Sequence, residues 1–200
     1  MEIFISKNNI FGKPIIALLA GSRKQEISAC LPRMLSAANQ FKDYQPVISG
    51  APGIDIEFYR TILKNENVQV VFNQTYELLY QAKAAIVNSG TATLETALIG
   101  TPQVVVYHQV LGRVAYWMKD IVIKVKYISL VNLIAGKEVV KELIAHLFTE
   151  KNMIEELELI LNDKIYREKM IVGYSEINKK LGEPGAAVRA AGGIIRFLSK

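Results

Sequence analysis

The sequence predicts an α/β fold, a parallel sheet with helices on both faces, and three observations predict it. Short continuous apolar runs at 14–20, 84–87 and 103–107 have the length and composition of strands covered on both sides. Segments of helical spacing separate the runs, so strand and helix alternate as crossover connections between parallel strands require. Polar turns follow directly after the apolar runs, at the edge where open α/β sheets bind ligands.

Residues 1–13 read as an extended lead-in or linker. The run 14–20, PIIALLA, is the first strand and ends at Gly21-Ser22-Arg23. Residues 24–41 then show helical spacing through Ile27, Leu31, Leu35 and Ala38, with Pro32 predicting a kink or a later start. A second strand is expected at 46–49 and a helix at 54–65, with Phe58, Ile62 and Leu63 on its buried side. Residues 68–72 form the third strand, and Thr75 is the expected N-cap of a helix reaching 82. The fourth strand, 84–87, leads through the tight turn Asn88-Ser89-Gly90 into a helix over 91–99, stopped by Gly100 and Pro102. The fifth strand is 103–107. Residues 110–125 are apolar with Arg113, Lys119 and Lys124 interspersed and Tyr116 and Trp117 in the middle, a pattern that suits either a membrane interface or a helix packed on the sheet. Segments 139–148, 151–161 and 166–181 read as charged amphipathic helices. Glu183-Pro184-Gly185 breaks the chain before a last helix, 186–198.

Composition narrows the classes. The chain has 200 residues, half of them hydrophobic and 22% charged, enough for one globular domain with a sizeable core. A single cysteine, Cys30, excludes an internal disulfide framework and a multi-thiolate metal site, and reads as an apolar filler on a helix. No apolar stretch approaches the roughly 20 residues needed to span a bilayer. A net charge of +5 and a pI near 9.2 favour an anionic partner, whether nucleotide, lipid surface or nucleic acid.

The turn at 88–91 carries the most chemistry. Backbone N–H groups at the start of the following helix are left without intrahelical acceptors, which makes a site for phosphate. Glu95, about one and a half turns along, reaches a sugar attached to that phosphate. A nucleoside diphosphate satisfies both features; in the plainer alternative Ser89 and Thr91 cap the helix and Glu95 faces solvent. Arg23 suits an oxyanion because its guanidinium keeps its charge and binds bidentately. The loops 21–23, 72–74, 88–91 and 107–108 all follow strands and are expected to converge on one rim. No dinucleotide or P-loop fingerprint is present, and no metal-ligand cluster. His108 stands on the rim, whereas His146 reads as surface. Glu26, Asp55 and Glu57 lie near strand ends without pairing as general acid and base, so the chain reads as a binding half without its chemical partner.

Three stretches, ALLAGSRKQEI, VNSGTATLETALIGTPQVVVY and YISLVNLIAGKEVVKELI, in this order and spacing, resemble the C-terminal half of the lipid-A-disaccharide synthases, glycosyltransferases of the GT-B architecture. The similarity runs from Pro14 to the end. It implies a Rossmann-like, UDP-sugar-binding domain over 14–183, a C-terminal crossover helix at 184–200, and an N-terminal acceptor domain that this chain lacks. The implied reaction moves 2,3-diacylglucosamine from UDP-2,3-diacylglucosamine to 2,3-diacylglucosamine 1-phosphate, with inversion and with neither metal nor cofactor.

Carried onto this sequence, the resemblance puts Gly21, Ser22 and Arg23 near the diphosphate, with Arg23 stabilising the leaving group, and Ser89, Gly90 and Thr91 at the glycine turn. Glu95 is implied at the ribose, Asn73 and Gln74 in the uracil loop, and Asn132 in the N-L-I-A-G motif near the donor. The catalytic base is expected in the absent domain. Ala20 and Val131 stand where the family commonly has proline. The implied partners are the UDP-acyl-glucosamine donor, the acceptor domain, an anionic membrane surface on the cytoplasmic face of the inner membrane, and a second copy through exchange of the C-terminal helix; no nucleic acid is expected. Two other readings share these turns: a UDP-N-acetylglucosamine 2-epimerase-like domain and a non-catalytic nucleotide-sugar-binding module.

Overall fold

The computed structural model describes residues 2–10, 12–64, 66–108, 126–183 and 185–198. Its sheet contains β1 (Ile15–Leu19), β2 (Gln45–Gly50), β3 (Gln69–Phe72), β4 (Ala82–Asn88), β5 (Gln103–Tyr107) and β6 (Glu142–Ile144). The spatial order is β3-β2-β1-β4-β5-β6, and every neighbouring pair is parallel. Around the sheet lie α1 (Glu2–Lys7), α2 (Lys24–Ala38), α3 (Ile56–Leu63), α4 (Thr75–Gln81), α5 (Thr91–Ile99), α6 (Leu130–Ala135), α7 (Glu150–Asn162), α8 (Lys164–Leu181) and α9 (Ala186–Leu198).

The continuous apolar runs are explained by two separate cores. Along β1, Ile16 and Leu18 enter one core while Ile15, Ala17 and Leu19 enter the other, and in β4 Ile86 and Val87 divide in the same way. A strand that must be apolar on both faces cannot alternate with polar residues. The larger core receives Ile27, Leu31 and Met34 of α2, Tyr59 of α3, Leu157 and Ile160 of α7, and Met170, Tyr174 and Ile177 of α8. The smaller is closed by Phe4 of α1, Ile10, and Leu78 and Leu79 of α4. Cys30 is buried in the larger core, and burial pushes its thiol up to about 11, so it stays protonated.

Four local expectations change. Residues 1–13 are not simply extended: α1 forms within them, and Phe4 and Ile10 supply part of the smaller core. Pro32 does not delay its helix, which starts at Lys24. Gln74, not Thr75, is the N-cap of α4; the Thr75 hydroxyl is engaged with that of Ser49 at 2.7 Å. Most instructive is 139–148, where the spacing predicts a helix and the chain instead forms β6 and a short 3-10 turn, Ala145–Leu147. The Asn132 side-chain oxygen accepts from the backbone N–H groups of Val139 and Val140, at 2.7 and 3.0 Å. Those donors are lost to a helix, and the open edge of β5 pairs with Glu142–Ile144. The segment 110–125, with its interfacial pattern, lies outside the described residues.

Candidate functional site

The chain runs from β1 outward to β2 and β3, then returns to the other side of β1 as β4. Connections therefore leave in opposite directions from two adjacent strands, and a crevice opens between them at their carboxyl ends. Register aligns these ends, with Leu19 opposite Val87. The turn after β1 consequently lies beside the turn after β4.

A cleft of about 510 Å³ occupies this position. Gly21, Ser22, Arg23 and Glu26 line it from the β1–α2 junction, Asn88, Ser89, Gly90, Thr91 and Glu95 from the β4–α5 junction, and Ser49 to Pro52 from the end of β2. Two helices, α2 and α5, begin here, and no side chain caps either. Their first N–H groups and the positive ends of their dipoles are available to an anion.

Local geometry explains the two glycines. Gly21 has φ +118°, and a Cβ there would lie 2.6 Å from a Glu26 carboxylate oxygen and 2.9 Å from the Asn88 amide nitrogen. Both conformation and space demand glycine at this turn. Gly90 differs. Its backbone is extended and an added Cβ would meet nothing within 4 Å, so the protein's own packing makes no demand on it. What the missing side chain leaves is bare backbone at the start of α5, facing the cleft.

Around these turns the polar groups are fixed. Glu26 accepts from the Ser22 backbone N–H at 3.1 Å and lies 3.5 Å from the Arg23 guanidinium, whose side chain is 82% exposed. Glu95 lines both this cleft and an adjoining one that holds Asn73, Thr75, Tyr76 and Glu77. The negative charge of Glu95 beside the Tyr76 hydroxyl raises the tyrosine's pKa. Thr93 and Thr96 turn inward instead, bonding the Gly90 and Ala92 carbonyls at 2.8 and 2.7 Å.

Of the residues expected at the site, Gly21, Ser22, Arg23, Ser89, Gly90, Thr91 and Glu95 share the cleft, and Asn73 lines its neighbour. Gln74 does not join them; its side-chain oxygen accepts from the Asn8 amide of the α1–β1 segment at 3.0 Å. Asn132 is also elsewhere. It is fully buried in α6, and besides the two bonds already described its amide nitrogen donates to the Val140 carbonyl at 2.8 Å and to Glu142 at 2.9 Å. With every polar atom of its side chain engaged, it is a bolt between α6 and β6. His108 packs edge-on against Phe148 rather than lining the cleft. Asn88 arrives with the 88–91 loop expected on this rim, but two contributors carry no such expectation: Glu26, an acid with no general acid–base partner in sequence, and the loop after β2, whose only sequence signal is the turn chemistry of G-A-P-G. Among the described residues no cluster of metal-binding side chains occurs.

A family model described as lipid-A-disaccharide synthetase matches residues 6–189. The chain belongs to the lipid-A-disaccharide synthase family. The lipid-A-disaccharide synthase of Myxococcus xanthus (strain DK1622) is 38% identical over 191 residues, covering 92% of this chain and 49% of that protein. That of Anaeromyxobacter dehalogenans (strain 2CP-C) is 37% identical over 183 residues, covering 88% and 47%. The chain thus spans about half the length of the curated relatives it matches. Among solved structures, spinosyn rhamnosyltransferase SpnG superposes with a TM-score of 0.62 at 17% identity, over 91% of this chain and 45% of that one, a likeness of fold alone. In this lipid-A-disaccharide synthase family member, the turns that carried the resemblance in sequence, G-S-R and N-S-G-T, are also the two that face each other across the cleft. The third stretch, around N-L-I-A-G, is the α6–β6 bolt.

Proposed function

We propose that this chain is the UDP-donor-binding half of a lipid A glycosyltransferase. The donor is UDP-2,3-diacylglucosamine, the acceptor 2,3-diacylglucosamine 1-phosphate, and the products are the disaccharide 1-phosphate and UDP. One observation carries the reading: the Gly21–Ser22–Arg23 turn, the Ser89–Gly90–Thr91 turn and Glu95 meet in a single cleft between two uncapped helix starts. The diphosphate lies between the helix starts with Arg23 against it, the ribose hydroxyls reach Glu95, and the base lies towards Asn73. As the bond between the sugar's anomeric carbon and the UDP oxygen breaks, negative charge gathers on the leaving phosphate, where Arg23 and both helix dipoles stabilise it.

The acceptor and the general base that removes its proton belong to an acceptor-binding domain outside these 200 residues, so the chain alone is inactive. Exposed Val188, Phe197 and Leu198 support a role for α9 in meeting that domain, or a second copy by exchange of the helix. Basic and aromatic residues at 110–127 support contact with an anionic membrane surface from the cytoplasmic side. Among the described residues no helix is long and apolar enough to cross a membrane.

Isothermal titration with UDP tests the donor site. Saturable binding is expected, weakened about ten- to hundredfold by Arg23→Ala and by Glu95→Ala. A folded parent chain that gives no signal with UDP overturns the assignment. For the membrane, co-sedimentation with anionic vesicles at low salt should fall when Trp117 and Lys124 are replaced by alanine; no retention at all would remove that partner.

A further inference from the structure

We infer that Glu26, which has no place in the chemistry so far described, is a positioning residue: its carboxylate holds the Gly21–Ser22–Arg23 turn in shape and presents Arg23 to the diphosphate. The inference rests on the donor-site reading. Its grounds are three observations on one side chain. One carboxylate oxygen accepts from the Ser22 backbone N–H at 3.1 Å, bracing the turn from inside the helix that follows. The other lies 3.5 Å from the guanidinium of Arg23, the N-cap of α2. The third is steric: the space left by the missing side chain of Gly21 is the space into which the carboxylate fits, since a Cβ there would come within 2.6 Å of it.

The arrangement differs from an ordinary helix cap. In a capping box the third helical residue reaches back to the N–H of the N-cap, and here Glu26, the third residue of α2, reaches one residue further, to Ser22. That extra reach ties the turn itself to the helix. The Arg23 side chain is 82% exposed and has Glu26 as its ion-pair partner, so without the carboxylate it samples many rotamers before meeting an anion. A 3.5 Å contact between exposed groups is weak enough to be given up. A diphosphate, with more charge and a geometry suited to the guanidinium fork, takes Arg23 over while the bond to Ser22 stays in place. Pre-organisation of this kind lowers the ordering cost of binding rather than adding a contact to the ligand.

The opposite role is also physically possible for a carboxylate in an anion site: a competitor that occupies the phosphate's place. Titrating the 200-residue chain with UDP and with uridine, monitored by NMR, separates the two. Glu26→Ala is expected to weaken UDP about tenfold, the loss of one charged anchor's pre-organisation, and to leave uridine unchanged, because the turn meets only the phosphates. Glu26→Gln retains an acceptor for the Ser22 N–H but loses the ion pair with Arg23, and is expected to recover part of the UDP affinity, between the alanine variant and the parent. If Glu26→Ala unfolds the chain, Glu26→Asp, one methylene too short to reach Ser22, serves in its place with the same expected loss. Unchanged UDP affinity in the alanine variant overturns the inference, as does tighter binding in both Ala and Gln variants, or equal loss of UDP and uridine. Absence of UDP binding by the parent chain overturns the donor reading and this inference with it, and so is distinguishable from failure of the inference alone.

Discussion

Gly21 and Gly90 stand in the two facing turns and should respond oppositely to the same substitution. Gly21→Ala forces a left-handed backbone on alanine and drives its Cβ into Glu26 and Asn88. A destabilisation of about 1–3 kcal/mol is expected, read as a lowered denaturant midpoint. Gly90→Ala meets open space and an extended backbone, so stability should stay within about 0.5 kcal/mol of the parent. Its methyl, however, stands over the start of α5 where the diphosphate is proposed to approach, and UDP affinity should fall about tenfold or more. If Gly90→Ala binds UDP as the parent does, the phosphate does not sit on that turn.

Between elements, the decisive contacts are buried polar ones. Asn132→Ala leaves the Val139 and Val140 N–H groups and the Val140 carbonyl without their partner, in a position closed to water. A loss of about 3 kcal/mol is expected, with little change in UDP affinity per folded molecule, because Asn132 holds β6 to the sheet and does not line the cleft. Loss of UDP binding without loss of stability would return Asn132 to the donor site. A second buried group links α7 and α8. The Tyr166 hydroxyl donates to Glu156 at 2.5 Å, and burial raises the Glu156 pKa above its ordinary value of 4.5. A carboxyl with a raised folded-state pKa binds its proton more tightly folded than unfolded, so its stabilising contribution is present below 4.5 and is lost as pH climbs through the raised value. Glu156→Gln, which still accepts from Tyr166 but never ionises, should therefore melt closer to the parent in acid and gain on it towards neutral pH. Parallel melting curves across that range would show that the carboxylate is not strained by burial.

At the scale of the whole molecule, the described residues form a sheet with a core on each face, and among their helices α9 contributes to neither core. In α9, Val188 is 77% exposed, Phe197 80% and Leu198 77%. A helix of this length has little stability in water without a covering surface. Removing residues 184–200 is expected to shift the melting temperature by no more than a few degrees, while lowering binding of a hydrophobic dye and any concentration-dependent association. A collapse of the fold on truncation would place α9 within the core instead.

Strands buried on both faces announce themselves as unbroken apolar runs, and turn chemistry marks their carboxyl ends, so the parallel sheet and the facing of Gly21–Arg23 with Ser89–Thr91 were legible from sequence patterns alone. The residues that could not be placed that way are those whose partners are distant in the chain. Nothing near Glu26 in sequence marks its role, which lies in its oxygens on Ser22 and Arg23; Gln74 faces Asn8, and the segment around Val139 and Val140 carries a helical pattern that Asn132 and the free edge of β5 overrule. Periodicity reports which face of an element is apolar. Hydrogen-bond partners, and the open edge that claims a short segment as strand, depend on what the folded chain brings alongside, and that is decided in three dimensions.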